Sequence, residues 1–142
     1  MANSPVQNPE SGAQGPFKIL VVDDTRSVHA FVKALLAKAQ GIESTPVQDG
    51  LQAIEVLRSG QSFDLILLDW EMPNLTGPET LRKMKEMGVS IPTVMMTTKN
   101  SQEDIMTMLE AGAVEYIMKP FTIDILFEKI SFATGRTFSY GL

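Results

Sequence analysis

The sequence predicts a doubly wound α/β fold, in which a five-stranded parallel sheet lies between two layers that together contain five helices. Segments with strand-like patterns alternate five times with segments of helical periodicity between residues 17 and 133. Strands that alternate with helices are typically parallel and joined by right-handed crossovers. The run Leu65-Ile66-Leu67-Leu68 is apolar at every position, which is typical of a strand covered by helices on both faces.

The predicted elements follow one another with short connections. Strands are expected at residues 17–24, 42–47, 63–69, 91–97 and 113–118. Helices are expected at residues 27–39, 51–59, 77–87, 102–111 and 122–133. No segment repeats at a fixed period, so the sequence does not indicate a repeat protein.

Apolar spacing identifies the first and last helices. The first carries apolar residues at i, i+3, i+4, i+7 and i+8, namely Val28, Phe31, Val32, Leu35 and Leu36. The last repeats most of this pattern at Ile123, Leu126, Phe127 and Ile130. Each stripe predicts a helix that packs one face against the sheet.

The third strand ends at an acidic residue, Asp69, and a turn follows. Pro73, Asn74 and Gly77 come soon after it, and these residue types favour a change of chain direction. The segment Thr76-Gly77-Pro78-Glu79 has the spacing of a capping box, which predicts the start of a helix. Asp69 is therefore expected at the rim of the sheet, where the strand gives way to a loop.

Composition excludes several classes of site and partner. The chain has 142 residues, which suits one domain, and no cysteine, which excludes disulfides and thiolate metal sites. A net charge of -5 without a basic run argues against a nucleic-acid partner. No apolar segment approaches the ~18 residues needed to span a bilayer, and no signal-peptide pattern is present. We therefore expect a cytoplasmic protein with no membrane partner.

Composition also divides the chain into three parts. Residues 1–16 are rich in Pro, Asn, Gln, Ser and Gly and are expected to form a disordered N-terminal tail. Residues 17–133 form the predicted domain. Residues 134–142 are expected to be a short C-terminal tail, in which Phe138, Tyr140 and Leu142 alternate with small or polar residues.

Polar residues collect at the carboxyl ends of four predicted strands. They are Asp23, Asp24, Asp69, Thr97, Thr98 and Lys119. In doubly wound sheets, ligands bind beyond the carboxyl ends of the strands. Each residue alone has an ordinary explanation as a cap, a strand residue or a solvated lysine, but together they indicate a site at one edge of the sheet.

The residue types at this edge are suited to phosphoryl chemistry. Three neighbouring carboxylates raise one another's pKa values unless a cation is present. Oxygen ligands at an open edge suit Mg²⁺, which keeps several waters. Lys119 can neutralise phosphoryl oxygens and Thr97 can donate a hydrogen bond to them. We therefore expect Asp69 to attack phosphorus and to become phosphorylated.

The sequence resembles response-regulator receiver domains over residues 17–133. The segments VVDD, LLDWEMPNLTG, VMMTTKN and YIMKPFT stand in the order found in that family. The chain is most similar to single-domain, chemotaxis-type receivers, which also carry DW at the phosphorylation site and KPF after the last strand. The resemblance implies a flavodoxin-like (βα)5 fold with strand order 2-1-3-4-5. It also implies phosphotransfer from a sensor histidine kinase to Asp69.

The resemblance further implies a Mg²⁺ site and its ligands. Asp24 and Asp69 would bind the ion directly, together with the backbone carbonyl of Glu71, and Asp23 would act through a bound water. Lys119 would contact the phosphoryl group, and a cis peptide bond would join it to Pro120.

Signal output in the family involves two switch residues. Thr97 would move toward the phosphoryl oxygens and Tyr116 would turn inward. These changes would alter the face formed by the fourth helix, fifth strand and fifth helix for a downstream protein partner. The chain would be a monomer or a weak, phosphorylation-dependent dimer.

Three further residues are expected to tune the lifetime of the phosphorylated form. Glu71 and Lys99 would flank the approach to phosphorus, where their charges can pair, and Thr98 is bulkier than the alanine often found at its position. His29, the one histidine of the chain, is expected on the surface of the first helix rather than as a phosphocarrier.

Two alternatives to a signalling receiver with a protein target remain open. A phosphorelay intermediate or a phosphate sink would use the same site. A small Mg²⁺-dependent aspartyl phosphatase would be an enzyme, but that class generally needs a D-x-D motif after its first strand, where this chain has Asp23-Asp24-Thr25. The expected chemistry is therefore self-catalysed phosphoryl transfer and autodephosphorylation, without the turnover of an enzyme.

Overall fold

The computed structural model describes residues 15–141, in which five strands alternate with five helices. The strands are β1 (Phe17–Val22), β2 (Ile42–Val47), β3 (Leu65–Asp69), β4 (Thr93–Thr97) and β5 (Glu115–Met118). The helices are α1 (Arg26–Leu36), α2 (Gly50–Arg58), α3 (Gly77–Glu86), α4 (Gln102–Ala111) and α5 (Ile123–Thr134). The predicted fold class is confirmed, and the predicted ends of the elements differ by up to three residues.

The sheet is parallel throughout, and its strand order is β2-β1-β3-β4-β5. This is the order 2-1-3-4-5 that the family resemblance implied. The chain moves from β1 to one side for β2 and then crosses to the other side for β3, so the strand order reverses beside β1. The carboxyl ends of β1 and β3 therefore border the crevice in which doubly wound sheets bind ligands.

Alternate strand residues supply the two halves of the core. On one face, Leu65 and Leu67 of β3 pack with α1 and α5. On the other face, Ile66 and Leu68 pack with α2, α3 and α4. All four side chains are fully buried, and each such burial is worth about 1.5 to 3 kcal/mol. The unbroken apolar run thus reflects a central strand that has no solvent-facing side.

The connection from β3 to α3 packs tightly against the end of β3. The predicted capping box is present: the Glu79 amide donates to Thr76 Oγ1 over 3.2 Å, and the Thr76 amide donates to Glu79 Oε1 over 2.8 Å. The Gly77 amide donates to the Trp70 carbonyl over 2.7 Å. A Cβ atom on Gly77 would lie 2.5 Å from the Asp69 carbonyl oxygen. Only glycine allows this close approach of the helix start to Asp69.

The described part of the C-terminal segment packs against the domain. The Phe138 ring centroid lies 5.1 Å from that of Phe17, and the Tyr140 ring stacks on Phe127 at 4.5 Å. The Gly141 amide donates to the Lys38 carbonyl over 3.1 Å. Residues 135–141 therefore connect the end of α1 to α5. Residues 1–14, most of the expected disordered tail, and residue 142 lie outside the described residues.

Within residues 15–141, no helix has both the length and the apolar character that crossing a membrane requires.

We predict that Gly77→Ala lowers the free energy of unfolding by about 1 to 3 kcal/mol, the usual range for an overpacked site. The added methyl group would meet the Asp69 carbonyl and the Met95 methyl group, each at 2.5 Å, and the carbonyl is backbone that cannot rotate away. Gly141→Ala is the matched control, because a Cβ there meets nothing within 4 Å. Urea unfolding would measure both changes, and equal stabilities for the two variants would contradict the predicted clash.

Candidate functional site

The expected site residues come together at the carboxyl edge of the sheet. Asp23 and Asp24 follow β1, Asp69 ends β3, Thr97 ends β4 and Lys119 follows β5. All of these except the buried Asp23 border a cleft of about 210 Å³, which is lined by Asp24, Thr25, Asp69, Trp70, Glu71, Thr97, Thr98 and Lys119. Parallel strands place these side chains together because all five strands end at the same edge.

Three carboxylates form a compact cluster in this region. One oxygen from each of Asp23, Asp24 and Asp69 lies within 4.8 Å of the others. Asp23 is fully buried and Asp69 is only 6% exposed, whereas Asp24 is exposed. Two of the carboxylates are thus removed from water, and Asp24 keeps the cluster open to solvent on one side.

A single ammonium group joins the two buried carboxylates. Lys119 Nζ lies 2.9 Å from Asp69 Oδ1 and 3.1 Å from Asp23 Oδ2. The Lys119 amide also donates to the Thr97 carbonyl over 2.9 Å, and the peptide bond to Pro120 is cis. The lysine is therefore held by both its backbone and its side chain.

Burial and charge shift the pKa values of this pair. Burial raises the pKa of Asp69, and the charges of Asp23 and Asp24 add to that rise, while the hydrogen bond and charge of Lys119 oppose it; the balance lies above the ordinary value. Burial by itself would lower the pKa of Lys119, but hydrogen bonds and charges from Asp69 and Asp23 hold it above its usual value. The ammonium therefore stays charged at neutral pH.

The donor set fits a hard divalent cation. The three clustered carboxylates carry more negative charge than the one ammonium between them neutralises. Their ligand atoms are all oxygen, and one side of the cluster faces solvent. These are properties of Mg²⁺ sites, in which the ion binds one or two carboxylates and keeps several waters.

The two threonines at the end of β4 differ in burial. Thr97 is almost fully buried, and its Oγ1 accepts a hydrogen bond from the Lys99 amide over 2.9 Å. Because a hydroxyl also carries one hydrogen, Thr97 retains a donor for a ligand in the cleft. Thr98 is exposed and lines the same cleft.

A charged pair lies beside the cleft. Lys99 Nζ is 3.5 Å from Glu71 Oε2, with side-chain exposures of 33% and 75%. The same ammonium lies 5.5 Å from the centroid of the Trp70 ring. The sequence predicted that Glu71 and Lys99 can pair, and the structure contains this ion pair.

Tyr116 does not line the cleft. It lies in β5, half-buried, with the Lys129 ammonium 5.4 Å from its ring centroid. Lys129 also pairs with Glu115 at 3.4 Å. Tyr116 therefore belongs to the surface formed by α4, β5 and α5.

Sequence reasoning missed the position of His29. The side chain is half-buried rather than a free surface group, and Nε2 lies 2.7 Å from the Asp23 carbonyl oxygen and 3.0 Å from that of Val47. A signal was present in the helical spacing. His29 stands at i, i+3 and i+7 with Val32 and Leu36, which are the two buried residues of α1.

The comparisons with known proteins agree with this geometry. A family model described as the response regulator receiver domain matches residues 19–131. Chemotaxis protein CheY of Pseudomonas aeruginosa is 36% identical over 115 residues, which cover 80% of this chain and 92% of that protein. Chemotaxis protein CheY1 of Helicobacter pylori is 31% identical over 120 residues, which cover 83% and 97%.

A similarity to solved structures points in the same direction. The structure of Vibrio cholerae chemotaxis protein CheY4 superposes with a TM-score of 0.77 at 28% identity and covers 84% of this chain and 99% of that one. The family model spans most of the chain, and both curated relatives exceed 30% identity. The chain therefore belongs to the response-regulator receiver family and is a CheY-like receiver.

Proposed function

We propose that this receiver accepts a phosphoryl group on Asp69 from a sensor histidine kinase, in a reaction that depends on Mg²⁺. The observation that carries the proposal is the position of the Lys119 ammonium, 2.9 Å from Asp69 and 3.1 Å from Asp23, at the open carboxylate cluster. This arrangement leaves a nucleophile beside a fixed positive charge at the edge of the sheet.

Asp69 acts as the nucleophile in this proposal. A carboxylate oxygen forms a bond to phosphorus while the bond from phosphorus to the donor nitrogen breaks, and the leaving nitrogen keeps the electron pair and takes up a proton. Lys119 and the Thr97 hydroxyl stabilise negative charge on the phosphoryl oxygens. The kinase supplies the phosphoryl group, and no separate substrate is turned over, so the chain is a phosphorylated signalling protein rather than an enzyme.

Four residues would hold the cation. Asp24, Asp69 and the backbone carbonyl of Glu71 would bind it directly, and Asp23 would act through a bound water. When bound, Mg²⁺ offsets the negative charge that collects where the phosphoryl oxygens meet the carboxylates. The compact cluster of the three aspartates supports this assignment.

The output surface would lie on α4, β5 and α5. Phosphorylation draws the Thr97 hydroxyl toward the phosphoryl group, and Tyr116 changes its position in response. Met106 and Leu109 of α4 and Ile125 of α5 are exposed apolar side chains, which suits contact with a protein partner. We place this exchange in the cytoplasm, in signalling of the chemotaxis type that the names of the relatives indicate.

We predict that the chain takes up one phosphoryl group when it is mixed with Mg²⁺ and acetyl phosphate, and that Asp69→Asn does not. Intact-mass measurement would detect the label, and EDTA would prevent it because the carboxylate cluster then lacks its cation. Trp70 fluorescence would change on Mg²⁺ addition and change again on phosphorylation, since this indole is adjacent to Asp69. Asp64→Asn, at the opposite end of β3, is the matched control and would be labelled normally.

Two results would contradict the phosphoacceptor assignment. Equal labelling of Asp69→Asn and the parent chain would place the label elsewhere. Continuous release of phosphate without accumulation of a labelled chain would indicate a phosphatase.

We predict that the double variant Glu71→Ala with Lys99→Ala, which lacks both charged side chains, has a phosphoryl half-life that is shorter by a few-fold. We place the pair at the approach that water takes to phosphorus, opposite the Asp69 oxygen. An exposed ion pair is worth only ~0.2 to 1 kcal/mol, and ~1.4 kcal/mol of barrier changes a rate about tenfold. The effect is therefore modest.

A double-mutant cycle would test whether the two charges act together. Phosphate release would be timed for the parent chain, both single variants and the double variant, at low and high salt. We expect non-additive single effects and a half-life of the parent chain that shortens with salt. Lys85→Ala, which removes an exposed charge from α3, is the control. Additive effects without salt dependence would show that the two side chains are merely solvated charges.

A further inference from the structure

Every polar atom of Asp23 has a partner within the protein. The amide donates to the Val47 carbonyl over 3.2 Å. Oδ1 accepts from the Thr25 amide over 2.8 Å, and Oδ2 accepts from Lys119 Nζ over 3.1 Å. The remaining atom, the carbonyl oxygen, lies 2.7 Å from His29 Nε2. Since Asp23 is fully buried, this carbonyl depends on a protein donor.

The contacts of His29 determine which ring nitrogen carries the proton. Nε2 lies near two carbonyl oxygens, those of Asp23 and Val47. Carbonyl oxygens only accept hydrogen bonds, so Nε2 must be protonated and must donate to both. His29 thereby links α1 to the point where the chain leaves β1 and to the last residue of β2.

The carbonyl that His29 binds belongs to the peptide group between Asp23 and Asp24. A peptide group is planar, so its oxygen lies in one plane with the Cα atoms of both residues. A donor that holds the oxygen therefore restricts the directions in which both side chains leave the backbone. Both side chains belong to the carboxylate cluster.

We propose that His29 is a positioning residue for the metal and phosphoryl site. Its Nε2–H holds the Asp23–Asp24 peptide group so that both carboxylates face Asp69. This inference rests on the proposed function, because it assigns His29 to the Mg²⁺ site. A purely structural role, in which His29 only ties α1 to the sheet, would change stability without changing the affinity of the folded chain for Mg²⁺.

The Mg²⁺ affinity of three variants separates these two roles. His29→Gln keeps an N–H donor near the position of Nε2, whereas His29→Leu has none. Lys33→Leu is the control. Lys33 lies four residues after His29 in α1 and lines the same surface cavity, but it forms no hydrogen bond to either carbonyl. Trp70 fluorescence would report Mg²⁺ binding, and urea unfolding in EDTA would report the stability of each metal-free variant.

We expect His29→Leu to weaken Mg²⁺ binding about tenfold, the lower end of the loss usual for residues that orient metal ligands. His29→Gln would restore most of the affinity, and Lys33→Leu would leave it unchanged. Equal Mg²⁺ affinity in His29→Leu and the parent chain would overturn the positioning role. Equal losses in His29→Gln and His29→Leu would also overturn it, because the donor would then not matter. If the leucine variant does not fold, His29→Asn takes its place, since its shorter amide does not reach the carbonyls.

A second experiment uses the unsubstituted chain, so its result does not depend on whether any variant folds. Because the chain has one histidine, its ring nitrogens can be assigned directly in a ¹⁵N spectrum. We expect the Nε2–H tautomer and a change in the Nε2 resonance on Mg²⁺ addition. The Nδ1–H tautomer would overturn the proposal about His29 while leaving the proposed phosphorylation of Asp69 intact. An unsubstituted chain that does not bind Mg²⁺ would overturn both.

Discussion

The salt bridges of Lys119 are the interaction on which the rest of the site depends. Asp23 and Asp69 are both buried, and a buried carboxylate stays ionised only when positive charge or hydrogen bonds compensate for lost hydration. The Lys119 ammonium contacts both, yet Asp24 adds a third negative charge to the cluster. The protein alone therefore leaves the cluster with excess negative charge. That excess is the physical reason for a divalent cation. The neighbouring carboxylates raise the pKa of Asp69, whereas Lys119 favours the ionised form in which Asp69 is a nucleophile.

The fold supplies the constraints that make this cluster possible. Leu65 to Leu68 are buried on both sides of the sheet, so a slip of β3 by one residue would exchange the faces on which these side chains pack and would displace Asp69 from its place at the rim. Gly77 allows the start of α3 to lie against the Asp69 carbonyl. The Lys119 amide is bound to the Thr97 carbonyl, which places the ammonium opposite β1 and β3. Each connection at this edge thus restricts the position of one charged or nucleophilic side chain.

Much of this arrangement was predictable, because local patterns carry it. Apolar spacing located the helices, the unbroken run at residues 65–68 located the central strand, and the polar residues at the ends of four strands indicated one shared edge. The strand order could not be predicted from local patterns. Periodicity does not specify which strands are neighbours, so that order came from the family resemblance. The contacts of His29 were missed because both acceptors are backbone carbonyls, whose positions no residue type reveals. The packing of Phe138 on Phe17 joins the C-terminal segment to β1, and this pairing has no local signal either.

The pKa of Asp69 in the metal-free chain tests the central electrostatic claim most directly. ¹³C NMR of labelled aspartate carboxyl groups in EDTA would follow its titration in the parent chain and in Lys119→Met. Burial and the two neighbouring carboxylates predict a midpoint above the ordinary value of 3.8. Loss of the ammonium predicts a further rise in the variant, because only Lys119 among the named groups favours the charged form. A midpoint at or below the ordinary value, or one that does not move in Lys119→Met, would show that this lysine does not control the charge of the phosphoacceptor.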